Sequence, residues 1–167
     1  MDADLGLALR SLPLHASLDD SETLGIIGSV PIPTRSFAHV RLTVTDIDRS
    51  RAFYDDVFAL PVAFELPGDA DEATRERLSF LYGGVIYKVG DSLLGLRPMG
   101  DDSFAEDRTG LDHVSFAVDS LSDLDSAATM LDERDIPHGG VKDIGAGYIL
   151  EFRDPDNIAL ELFAPKV

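Results

Sequence analysis

The stretch from Gly110 to Pro165 decides the fold. It opens with Leu111-Asp112-His113-Val114-Ser115-Phe116-Ala117-Val118 and closes with Phe152-Arg153-Asp154-Pro155-Asp156-Asn157-Ile158-Ala159-Leu160-Glu161-Leu162-Phe163-Ala164-Pro165. The first piece reads as a strand with a histidine near its start, the last as a strand, a tight turn, and a strand with one glutamate among apolar residues. Between them Leu121, Leu124, Ala128 and Leu131 recur at helical spacing behind a cap at Ser120 or Ser122. Val141 to Ile144 is a short strand, and Tyr148 to Arg153 and Ile158 to Phe163 form the final hairpin. Its turn, Asp154-Pro155-Asp156-Asn157, has proline at a favoured position and an asparagine that tolerates positive φ, and reads as structural.

A weaker copy of this order lies upstream. Ala38-His39-Val40-Arg41-Leu42-Thr43-Val44 alternates with period two, so His39, Arg41 and Thr43 share one face of a strand. Asp46 or Asp48 caps a helix carrying Phe53, Val57 and Leu60, and Pro61 ends it. Gly68 to Glu76 is an acidic loop or short exposed helix. Leu78 to Tyr82, Val85 to Val89 and Ser92 to Pro98 read as strands, the last two joined by a Gly90-Asp91 turn. Two βαβββ modules therefore follow one another, over residues 37–98 and 110–167, with a polar linker at 99–109. His39 and His113 occupy the same place in each copy.

The chain has 167 residues, enough for one domain built from two such modules. Residues 1–36 precede the repeat as an arm. Its leucines suggest packing against the domain or, by a slight preference, against a second subunit. No apolar run is long enough to span a bilayer and the N-terminus lacks a signal-like pattern, so the expectation is a cytoplasmic protein away from membranes. The formal charge is −17, with lysine only at 88, 142 and 166, which speaks against nucleic acid. With no cysteine, any metal must be held by nitrogen and oxygen.

The repeated βαβββ pattern, the two strand-borne histidines and the ending Asp154-Pro155-Asp156-Asn157-x-x-x-Glu161-Leu162 resemble the vicinal oxygen chelate superfamily. That superfamily includes glyoxalase I, extradiol dioxygenases, fosfomycin-resistance enzymes, methylmalonyl-CoA epimerase and bleomycin-resistance proteins. The resemblance covers residues 37–165. It implies an α+β fold in which paired modules curl a mixed sheet into a cup with helices outside. It also implies metal ligands on the first and last strands of each module. Carried over, these are His39, His113 and Glu161 around a divalent ion such as Fe, Mn, Zn, Ni or Co. The fourth position falls at Gly95, which has no side chain to offer. This departs from the four-ligand set of glyoxalase I and leaves an open centre.

Strand alternation and the family's final hairpin suggest what else lines the cup. Arg41, Arg97 and Ser115 are candidate substrate-binding residues. The two arginines suit a carboxylate or phosphate, or equally a structural network with Glu151 and other acids. Glu151 or Tyr87 is a candidate general base. An unpaired buried Glu161 would be costly, and either a metal or a basic neighbour such as Arg97 would resolve that. The leading expectation is a metalloenzyme acting on a small molecule with neighbouring oxygens. It would act as an isomerase or lyase, in extradiol cleavage, or in addition to an electrophile such as an epoxide. The alternative is a bleomycin-resistance-type protein that binds a small molecule without catalysis. The resemblance also implies a homodimer, with the cup built within one chain or across two.

Overall fold

The computed structural model describes residues 32–166, and the domain runs from Ser36 onward. Most of the expected N-terminal arm lies outside the described residues. The first module contains β1 (His39–Thr43), α1 (Ile47–Phe58), β2 (Val62–Phe64), α2 (Glu72–Arg77), a short 3-10 helix (Ser79–Leu81), β3 (Val85–Val89) and β4 (Ser92–Arg97). The second contains β5 (Val114–Ala117), α3 (Leu121–Glu133), β6 (His138–Asp143), β7 (Gly147–Arg153) and β8 (Ala159–Pro165). Among the described residues no helix is long and apolar enough to cross a membrane.

The strands form two four-stranded mixed sheets with the same order, β1-β4-β3-β2 and β5-β8-β7-β6. In each, the first strand runs parallel to the last and the remaining pairs are antiparallel. The expected α+β architecture of paired modules is therefore present, and neither sheet closes on itself.

One expected strand is misplaced. Leu78 to Tyr82 is not a strand: Ser79–Leu81 winds as a 3-10 helix, and the missing strand is the short β2 at Val62–Phe64. Local backbone chemistry explains the difference. Tyr82 sits at φ 55 and Gly83 at φ 82, a left-handed pair that ends the 3-10 turn and cannot continue a strand.

The helices begin where their caps predict. Asp46 accepts from Arg49 N at the start of α1, and Ser120 accepts from Asp123 N at the start of α3. Helix α1 stops at Phe58 because Ala59 turns left-handed, at φ 47, before Pro61 is reached.

Each sheet has one buried and one open face. Leu42, Leu94, Leu96, Val85 and Tyr87 fill the core side of the first sheet, and Leu150, Phe152, Leu160 and Leu162 that of the second. These residues belong to one apolar cluster, so the modules share a core. Phe58, at the end of α1, bridges them directly: its ring lies 4.7 Å from Phe116 and 6.1 Å from Phe152.

A polar joint reinforces this contact. In the turn after β7, Asp156 is only 5 % exposed, and it accepts from Thr45 N (3.0 Å), Thr45 Oγ1 (2.5 Å), Arg49 Nη2 (2.6 Å) and Ser50 Oγ (3.3 Å). Asp154, equally buried, accepts from Tyr54 Oη and from the backbone of Asp156 and Ile158. Burial pushes the Asp154 carboxyl above the usual carboxylate range, against the lowering effect of those donors.

Asp156→Ala strands several donors at the joint and should cost about 2–4 kcal/mol. Tyr54→Phe removes one hydrogen bond and should cost about 1 kcal/mol. Urea unfolding measures both, and a loss under about 1 kcal/mol for Asp156→Ala would show the joint to be dispensable. A Cβ at Gly147 would lie 2.5 Å from the Ala164 carbonyl and 2.6 Å from the Phe163 ring, whereas one at Gly68 meets nothing within 4 Å. Gly147→Ala should therefore cost about 1–3 kcal/mol and Gly68→Ala almost nothing in the same experiment. Finally, the linker carboxyl of Glu106 is held down at about 2 by Arg153 at the end of β7. Being depressed by folding, it adds stability above its ordinary value of 4.5 that is lost as pH falls toward 2. Acid titration of Glu106→Gln should lack that part of the transition.

Candidate metal centre

The registers place the candidate residues. In the second sheet Ser115 lies beside Glu161 on the neighbouring parallel strand, and Glu151 lies directly across from Glu161 on the antiparallel one. All three share the open face, as the alternation predicts. His113, just before β5, joins them: its Nε2 is 3.8 Å from Glu161 Oε1. Ser115 Oγ donates to the same oxygen at 2.6 Å, which fixes the rotamer of Glu161. Thus Ser115 orients the glutamate and has no hydroxyl proton left for a second acceptor.

The other side of the His113 ring is also held. Its Nδ1 lies 2.5 Å from Asp112 Oδ1. A carboxylate on Nδ1 leaves Nε2 as the atom offered to a cation, the usual arrangement behind a ligating histidine. The hydrogen bond to Asp112 raises the His113 pKa, against the opposing effect of burial and with lesser help from the field of Glu161. Asp112 has no place in the expected ligand set, and its signal in the sequence is only that it immediately precedes His113. A small cleft of about 100 Å³ is lined by Glu106, Asp112, His113, Glu151, Arg153 and Glu161. Two of its four carboxylates are already paired, Glu106 with Arg153 and Glu151 with Lys142, which leaves Asp112 and Glu161 beside the imidazole. The donor set thus suits a divalent metal held by nitrogen and oxygen.

Within one chain the set is incomplete. Among the described residues no group of three or more histidine, aspartate and glutamate side chains could hold a metal ion. His39 is exposed on the open face of the first sheet and does not join His113 and Glu161. The sequence leaves open whether the cup is built within one chain or across two, and within one chain His39 stands apart from the pair.

The first sheet reproduces the geometry with different chemistry. Arg41 lies beside Gly95 as Ser115 lies beside Glu161, so Gly95 occupies the fourth ligand position. The Arg41 side chain covers it: a Cβ at residue 95 would sit 3.0 Å from Arg41 Cγ. Arg41 donates from Nη1 to the Phe80 carbonyl (3.1 Å) and from Nη2 to the Leu81 carbonyl (3.4 Å). Arg97, beside Thr43 on the same face, stacks on the Tyr82 ring with its guanidinium carbon 4.5 Å from the centroid. Tyr82, like Asp112, is absent from the expected site. The Tyr82-Gly83 pair marks a turn in the sequence, but which ring face the arginines meet is visible only in three dimensions.

The two candidate bases separate. Glu151 stays on the open face, paired with Lys142 Nζ at 2.7 Å. Tyr87 does not: it faces the core, fully buried, and its hydroxyl donates to Asp55 of α1 at 2.8 Å. Burial, then the Asp55 carboxylate, raises its pKa far above the ordinary phenol value. A base on that face of β3 reaches nothing in the cleft, so Tyr87 is a structural residue.

Comparison with known proteins supports the same fold. Residues 36–162 match the model of the Glyoxalase/Bleomycin resistance protein/Dioxygenase superfamily. A glyoxylase/bleomycin resistance protein/dioxygenase domain from Frankia sp. EAN1pec is 30% identical, with a TM-score of 0.64 over 80% of this chain and 100% of that one. Lactoylglutathione lyase from Agrobacterium tumefaciens is 24% identical, with a TM-score of 0.59 over 80% and 96%. A mutant of the fosfomycin resistance protein FosX from Listeria monocytogenes, complexed with Mn(II) and 1S,2S-dihydroxypropylphosphonic acid, is 17% identical, with a TM-score of 0.62 over 81% and 95%. No curated protein matches. With the family model spanning most of the chain, two mixed sheets of identical strand order and a histidine–glutamate pair on the open face of the second, this chain belongs to the Glyoxalase/Bleomycin resistance protein/Dioxygenase superfamily.

Proposed function

We propose that this protein is a metal-dependent enzyme acting on a small substrate with neighbouring oxygen atoms, and that its two-histidine, one-glutamate centre forms across a homodimer. One subunit supplies His113 and Glu161 and a second copy supplies its own His39. The observation that carries this reading is the half-site of the second module: Glu161 oriented by Ser115, and His113 fixed through Nδ1 with Nε2 turned to the cleft. A divalent metal bound there would act as a Lewis acid on paired substrate oxygens, or as a centre for dioxygen chemistry if it is iron.

The remaining roles belong to the protein. Asp112 keeps the His113 ring in the tautomer that presents Nε2. Ser115 holds Glu161 in place. Glu151, exposed, opposite Glu161 and paired with Lys142, is the carboxylate positioned to take a proton from a substrate in the cleft. With Gly95 in place of a fourth ligand, the reading favours isomerase, lyase or extradiol-type chemistry at an open centre over a four-ligand glyoxalase I. A binding protein without catalysis is the competing reading, and the observation on its side is that one chain assembles no three-ligand group among the described residues.

Metal analysis of protein purified without chelator tests the proposal. The wild type should carry about one divalent ion per subunit, and His113→Ala and Glu161→Gln should lose it. A heterodimer of His39→Ala and His113→Ala subunits, isolated through two different tags, should regain one site in every two. Regain of none would place all ligands in one chain. A metal-free wild type that still binds an aromatic ligand would establish the binding-protein reading. Aerobic against anaerobic turnover with Fe(II) then separates oxygenase from isomerase or lyase.

A further inference from the structure

We infer that Arg41, Arg97 and Tyr82 form a binding site for an oxyanion, the carboxylate or phosphonate group of a small organic acid, on the open face of the first sheet. This site does not depend on the metal.

The two arginines occupy diagonal positions on neighbouring parallel strands, Arg41 beside Gly95 and Arg97 beside Thr43. Both guanidinium groups lie against one ring, at 4.5 Å for Arg97 and 5.8 Å for Arg41 from the Tyr82 centroid. Stacking covers the flat face of a guanidinium and leaves its edge N–H groups for a planar acceptor. Tyr82 is held at φ 55, so the turn sets the direction in which its side chain leaves the backbone.

Part of these edges lacks a partner. The Nε atoms of both Arg41 and Arg97 are buried and make no hydrogen bond. Arg41 uses its Nη atoms on the Phe80 and Leu81 carbonyls, which anchors it. The Arg97 side chain has no hydrogen bond or ion pair among the described residues. An orphaned, buried, charged donor is costly, and here two sit together. The rest of the chain makes this conspicuous. Acidic residues outnumber basic ones 31 to 14; Arg49, Arg51, Arg108, Arg134 and Arg153 each have a carboxylate partner, and the described arginines other than Arg41 and Arg97 that lack one, Arg35, Arg75 and Arg77, are exposed to water. Two adjacent arginines without a carboxylate in so acidic a protein leave an acceptor to come from outside the domain. Gly95 permits the arrangement, because a side chain there would press on the Arg41 stem.

If open faces of two subunits meet as proposed above, this anion site lies on the wall facing the metal and the substrate is an organic acid; that extension alone rests on the dimeric reading.

The test is calorimetric titration of the full chain with propionate and with methylphosphonate at constant ionic strength, since simple screening would otherwise mimic binding. Saturable binding of either is expected in the wild type and in His113→Ala, which separates this site from the metal. Arg97→Gln should weaken binding at least about tenfold with little change in melting temperature, and Arg97→Lys should not restore it, because an ammonium lacks the planar fork. The preferred probe identifies the oxyanion. Binding by neither probe, or binding equal in Arg97→Gln, would overturn the proposal. So would binding in the wild type that disappears in His113→Ala, because the anion would then sit on the metal. A large drop in melting temperature in Arg97→Gln, with no anion bound by the wild type, would make the pair structural.

Discussion

The structure depends on how the last hairpin of the second module is fastened to the first helix of the first. Asp154 and Asp156 are buried carboxylates, which the interior tolerates only when every lone pair is matched. Their partners come from Thr45, Arg49, Ser50 and Tyr54, a hundred or more residues earlier in the chain. Apolar contact between α1 and the second sheet supplies the attraction, but it is not directional. The carboxylates supply the direction: a shift of the hairpin would strand several donors at once. This fixes where β8 begins, and hence where Glu161 stands two residues into it.

That same hairpin was legible as a turn in the sequence, but its larger duty was not. Asp-Pro-Asp-Asn announces a tight turn through local chemistry alone. That its carboxylates point into a neighbouring helix is a tertiary fact without local signature. The period-two runs around His39, His113 and Glu161 located their strands because one face of each is buried and the other open. The parity of Glu151 followed from the hairpin register. Tyr87 failed for the same kind of reason: it is one residue out of phase with the open face, and phase in a hairpin is set by pairing with β4. The strand expected at Leu78 to Tyr82 failed because an apolar run does not distinguish a strand from a 3-10 turn. Val62–Phe64 escaped notice because three residues carry too little periodicity.

The two modules show how one geometry serves two chemistries. Glu161 with Ser115, and Gly95 with Arg41, are the same pair of positions in the two sheets. One presents an oriented carboxylate beside a histidine, the other a guanidinium laid over a glycine. A negative half and a positive half result from the repeat, although the sequence as a whole is strongly acidic. The family relationship accounts for the shared backbone, and side chains at a few registered positions account for the contrast.

Gly95 also bears on how this protein could change over time. A fourth metal ligand is one substitution away in the genetic sense, but Arg41 already occupies the volume such a side chain needs and is tied down by two carbonyls. A carboxylate introduced at position 95 would meet that guanidinium first and pair with it. Positions 41 and 95 are thus epistatic: a four-ligand descendant requires both to change, and the intermediate with only one change would have lost the free arginine without gaining the ligand. The glycine at position 95 is held in place by a neighbour on the adjacent strand.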